Sequence, residues 1–296
     1  MAIALLFFSL LMWAWYWPRR DRKRFQWQPR PALRVGLLDL ATFLVILMMA
    51  DGLAITWAGP HLDNAAKQLS DPDFSRKVGV TRFCGFLVWL VAAGLIRRRH
   101  FIELFRFYIK SLPRDLVTGL TWFLLLIPPV LIVQWLMVQW IPYQHPTAQS
   151  LKDQSDWGVI LPQIWLTVGL APLLEEVFFR GLIYGWLVRL FESQTAIGEL
   201  VWEPHQPQST DWNHTPRKSG WISWAAILLS AVIFAAVHVG NGPDGAWFGP
   251  DLLPLFLLAV GLAWVTRRSG RITAAILIHM LLNGFSLAML FVAKPT

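Results

Sequence analysis

Eight runs of this sequence are apolar and nearly free of charge, at approximately residues 2–17, 35–58, 78–96, 116–141, 158–190, 221–239, 251–266 and 272–292. About 20 such residues, wound as a helix, cross the ~30 Å of hydrocarbon in a bilayer. No water is present there to serve free backbone N–H and C=O groups, so a chain that repeats this pattern has few folds open to it. The expected class is all-α, a polytopic membrane helix bundle of about eight transmembrane helices. Composition agrees: 55% of the 296 residues are hydrophobic and only 15% are charged, a balance rare in soluble domains. The net charge of +8 is concentrated between the apolar runs. That placement is a topology signal, and no nucleic-acid partner is expected.

Alternate connections differ in charge. Segment 18–34 holds Arg19, Arg20, Arg22, Lys23, Arg24, Arg30 and Arg34, and segment 97–115 holds Arg97, Arg98, Arg99, Arg106, Lys110 and Arg114. Arg217 with Lys218, and Arg267 with Arg268 and Arg271, continue the series, whereas the opposite connections hold little beyond Lys67, Arg76, Lys77 and Lys152. The positive-inside rule then places both termini outside and the basic loops in the cytoplasm of an integral, multi-pass protein (in the plasma membrane if the chain is bacterial). The first run lacks a basic n-region and a small-residue cleavage site, and reads as a retained span. Segment 101–112 has the spacing of an amphipathic helix lying on the cytoplasmic interface. Segment 191–220, with Pro204, Pro207, Pro216, His205 and His214, reads as a mobile cytoplasmic loop, with a metal role for the two histidines as the weaker alternative. Cys84 is the only cysteine, which excludes an internal disulfide and a thiolate zinc cage.

Within the apolar runs a few groups are out of place. Glu175 and Glu176 are adjacent in the run from Leu170 to Arg180. A charge at the bilayer centre costs roughly 2.5–3.5 kcal/mol on insertion scales, so two of them require a reason. Neighbours on a helix diverge by ~100° and cannot share one task. Arg180 stands four residues after Glu176, the order that pairs well on a helix, which leaves Glu175 to face a polar environment. Pro172, one turn earlier, frees a backbone carbonyl. His238 closes the run beginning at Phe234, and His279 and Asn283 share one helical face. Each alone reads best as an interhelical hydrogen-bonding residue. Three runs each contributing polar groups point to one shared site. Distance along the helices fits this for Glu175 and His238, but counting from Arg271 leaves His279 shallower than either.

Glu-Glu-x-x-x-Arg (Glu175, Glu176, Arg180), Phe-x-x-x-His (Phe234, His238) and His-x-x-x-Asn (His279, Asn283) together resemble the CPBP family of intramembrane proteases, which includes the CAAX prenyl endopeptidases and the bacterial Abi proteins. The resemblance covers residues 158–290. It divides the chain into N-terminal spans without a motif, 1–115, and a protease core, 116–296. It implies hydrolysis of a peptide bond in a membrane-embedded, prenylated or otherwise lipidated peptide. Glu175 would act as general base on water with help from His238, and His279 and Asn283 would polarise the carbonyl and stabilise the oxyanion. Glu176 and Arg180 would be structural support. Such proteins are often labelled metalloproteases, and a divalent metal such as zinc, if bound, would be held by Glu175, His238 and His279. The chain has no His-Glu-x-x-His helix, and the residues leave the metal question open.

Other readings are weaker. There is no Gly-x-Ser-Gly turn for a serine nucleophile, and Asp39 and Asp51 share one run, which suits packing better than an aspartate dyad. A proton-coupled transporter would be expected to show repeated halves, and none is visible. A proteolytically silent family member acting as a binding or immunity partner is the principal alternative.

Overall fold

The computed structural model describes residues 2–16, 35–58, 72–97, 111–141, 156–191, 201, 220–239 and 247–292. Among these, eight helices and no strands are found: α1 (Ala2–Tyr16), α2 (Leu37–Ala58), α3 (Pro72–Arg97), α4 (Leu112–Trp140), α5 (157–191), α6 (Gly220–Ala236), α7 (Leu252–Ser269) and α8 (Thr273–Val292). By length and composition α2, α3, α4 and α7 can each cross a membrane, while α6 and α8 are shorter apolar helices. The basic segments 18–34 and 98–110, and most of 192–219, lie outside the described residues, as do His205, His214 and nearly all of the expected amphipathic helix.

Helix boundaries reflect local chemistry. Helix α3 begins six residues before the apolar run expected at 78, because Asp73 pairs with Arg76 at 2.8 Å and Lys77 at 2.7 Å within the first turns. Asp73 also sits at the positive end of the helix dipole. In α2, the Asp39 carboxylate accepts the Gly36 N–H at 2.8 Å, serving a donor left free where the helix starts. Helix α7 stops at Gly270, whose φ of 65° is the left-handed conformation that a residue without Cβ adopts cheaply. Its N–H bonds back to Thr266 O at 2.8 Å, and three residues later α8 begins.

Two hydrophobic cores organise the bundle. In the first, α5 is central: Leu174, Val177, Phe179 and Leu182 pack with Phe43 of α2, Trp89 of α3, Phe234 of α6 and Ala263 of α7. In the second, Leu125 and Ile127 of α4 meet Leu262 of α7 and Ile278 of α8. Helix α1 lies on the outer side of this second core, tied by the Trp13 indole N–H donating to Leu125 O at 3.0 Å. The α4–α8 approach is close enough that a Cβ at Gly119 would meet Leu277 at 2.7 Å. Helices α7 and α8 thus connect both cores, and the polar residues of α5 and α8 face one another near their junction.

Candidate active site

Helix α5 is unevenly wound. Trp165–Leu170 and Val177–Ile183 are π-helical, with N–H groups reaching five residues back: Ala171 to Leu166 O, and Tyr184 to Phe179 O. The α-helical turn between them, Ala171–Glu176, carries both glutamates. Pro172 stands two residues after the first of these wide turns and, having no N–H, leaves one carbonyl of that turn without a donor from its own helix. Wide turns of this kind are rare and occur mostly at functional sites.

Glu176 is completely buried. Its Oε1 lies 3.0 Å from Arg180 Nη1 and accepts a 2.9 Å hydrogen bond from His279 Nδ1. The i, i+4 pair expected from the sequence is present, and His279 is a second partner that local spacing did not show. Arg180 is also buried; its Nη2 donates to Ala259 O of α7 at 3.4 Å, and its guanidinium stands 4.5 Å from the centroid of Phe234. A buried charge is tolerated only with such partners.

His279 joins the two glutamates. Its Nδ1 must carry the proton given to Glu176, because an ionised carboxylate only accepts. In the neutral ring Nε2 is then a lone pair, and it lies 3.9 Å from Glu175 Oε2. The Glu175 side chain is 30% exposed and makes no hydrogen bond among the described residues. The shallower position expected for His279 is corrected here. That expectation placed Arg271 at the membrane surface, but Arg271 is buried and paired with the equally buried Asp115 at 2.6 Å.

His238 Nδ1 donates to Phe234 O at 2.8 Å, which likewise leaves Nε2 as the lone pair of its neutral ring. The Phe234 ring lies beside both imidazoles, with centroids 4.9 Å from His238 and 6.2 Å from His279. No direct bond joins His238 to Glu175 among the described residues. Asn283 Nδ2 donates to Thr167 O at 2.9 Å, inside the first wide turn. Glu175, His238 and His279 do not converge into a metal-ligand set, nor do any three His, Cys, Asp or Glu side chains among the described residues.

One neighbour was missed. Arg82 of α3 forms a two-point ion pair with Asp51 of α2, Nε to Oδ1 at 2.6 Å and Nη2 to Oδ2 at 2.9 Å. It lies near enough to Glu175 for the two charges to act on each other. The signal was available as a single cation inside the third apolar run, together with a single aspartate deep in the second.

Apolar helices closing around carboxylates and imidazoles define an integral membrane protein with a largely buried polar site. Residues 157–285 match the family model of the type II CAAX prenyl endopeptidase Rce1-like proteins, a match that supports placing this segment with the CPBP/CAAX proteases. All of the motif residues lie inside the matched segment. No curated protein and no solved structure matches the chain.

Proposed function

We propose that the chain is an intramembrane endopeptidase that hydrolyses a peptide bond of a membrane-associated or lipid-modified substrate, with Glu175 as general base. The observation carrying this reading is the asymmetry of the two glutamates. Glu176 is neutralised and fixed by Arg180 and His279, whereas Glu175 is partly exposed and has no hydrogen-bonded counter-charge. A water between Glu175 Oε2 and His279 Nε2 would find two acceptors for its protons.

Glu175 takes a proton from that water, the oxygen bonds to the carbonyl carbon, the C–N bond breaks, and the proton passes to the departing amine. His238 supplies the second imidazole. With Nδ1–H held by Phe234 O, its Nε2 lone pair would assist Glu175 in drawing the proton from that water. A prenylated peptide ending in a CAAX sequence is the first substrate to test, because the family match names that class.

The protein reconstituted in liposomes should cleave a farnesylated CAAX-terminated peptide. Glu175→Gln should lower the rate by about 10²–10⁴-fold, the range attributed to a general base, with unchanged thermal unfolding. Cleavage by Glu175→Gln at the wild-type rate would remove Glu175 from the chemistry.

A further inference from the structure

The first wide turn of α5 has an unfilled position, and another helix fills it. With Ala171 N–H bonded to Leu166 O, the Thr167 carbonyl is passed over by its usual α-helical donor. The next candidate, five residues on, is Pro172, which has no N–H. Thr167 O is therefore left without a donor from its own helix. Asn283 of α8 provides one, through Nδ2 at 2.9 Å. An unserved carbonyl in an apolar bundle is costly, so this side-chain amide decides whether the wide turn can persist.

The turn matters for Glu175, which stands three residues after Pro172 and makes no hydrogen bond among the described residues. The backbone of α5 therefore sets the direction of its side chain. We infer that Asn283 is a positioning residue: its amide replaces the N–H that Pro172 lacks, and so holds the turn that aims Glu175 toward His279. This rests on the proposed role of Glu175 as base. It differs from the oxyanion role implied by family resemblance, since the Asn283 N–H observed in a bond is spent on the backbone.

The two roles separate in a double-mutant cycle on Pro172 and Asn283, because Pro172→Ala restores an N–H beside Thr167 O. Wild type, Asn283→Ala, Pro172→Ala and the double variant are compared in liposomes by hydrogen–deuterium exchange over 165–176 and by kcat and KM on the farnesylated peptide. Asn283→Ala should speed exchange in 165–171. It should also lower kcat by about 100-fold with KM nearly unchanged, the loss typical of a ~1 Å misplacement. In the Pro172→Ala background the same substitution should cost no more than about 10-fold, and its effect on exchange should largely vanish. Asn283→Asp, which keeps the shape but removes the donor, should behave like Asn283→Ala.

Equal penalties in both backgrounds would overturn the inference and favour a direct oxyanion donor. Unchanged exchange in Asn283→Ala would overturn it as well. Faster exchange with undiminished kcat would reduce Asn283 to a helix tie. If wild type leaves the peptide uncut, the protease reading is what fails, and the exchange pair still decides whether Asn283 holds the turn.

Discussion

Two ion pairs flank Glu175, one in each half of the molecule, and they are built differently. Glu176–Arg180 lies within α5, with side chains 0% and 1% exposed, and His279 is its third member. Asp51–Arg82 bridges α2 and α3, with side chains 39% and 38% exposed. The first is enclosed by packed rings and fixes its carboxylate. The second is open on one side, yet it lies within helices apolar enough to span a membrane. Ionisable groups in such helices nearly always face the bundle interior or water. The contrast predicts the wet side of the site: water reaching Glu175 from the α2–α3 side, with the α6–α8 side sealed.

The largest effect should come from breaking the sealed pair. Glu176→Gln leaves Arg180 buried without its counter-charge, and should cost about 3–5 kcal/mol in thermal or denaturant unfolding in detergent. Asp51→Asn should cost about 1 kcal/mol or less, as for solvated pairs. Similar losses for the two variants would erase the distinction and place the α2–α3 pair away from water.

A smaller effect is expected when both members of the sealed pair are replaced. Glu176→Leu with Arg180→Met removes two buried charges together, which by itself is often neutral. His279 would then lose its acceptor, an orphaned donor worth about 1–3 kcal/mol. The double variant should thus be destabilised less than Glu176→Gln. A larger loss would show that Arg180 contributes mainly through its contacts with Phe234 and Ala259 O.

The finest distinction is one of access. In a Cys84→Ser background, Arg82→Cys should react with a charged maleimide faster than Leu174→Cys, because the reactive thiolate needs water. Equal protection of both would remove the case for a wet α2–α3 side.

The bundle was legible because apolar run length is a direct consequence of spanning hydrocarbon. Seven of the eight expected runs agree with observed helices to within a few residues, and α3 starts earlier only because its charged first turns pair among themselves. The Glu176–Arg180 contact was legible for the same reason, since it depends on spacing within one helix. The His279 bond to Glu176 was not, because it joins residues 103 apart. Charge alone also misled: Arg271 resembles an interfacial arginine until Asp115 is found against it. The wide turns escaped as well, although Pro172 marked where a carbonyl would be released.

Those wide turns carry a consequence for chain length. Each accommodates one residue more than an α-helical path of the same extent, so α5 can be read as an ordinary helix with two insertions. Deleting one residue from 165–170 would let that turn close to 3.6 residues, with both glutamates still on the faces they now occupy. The same deletion from an evenly wound helix has no surplus to absorb it, and would turn everything beyond it by ~100°. Winding all the residues of 165–170 at 3.6 per turn would do the same to Glu175 and Glu176. Composition and residue count would be unchanged. In α5, the fit between residue count and winding determines which glutamate is enclosed and which is left partly open.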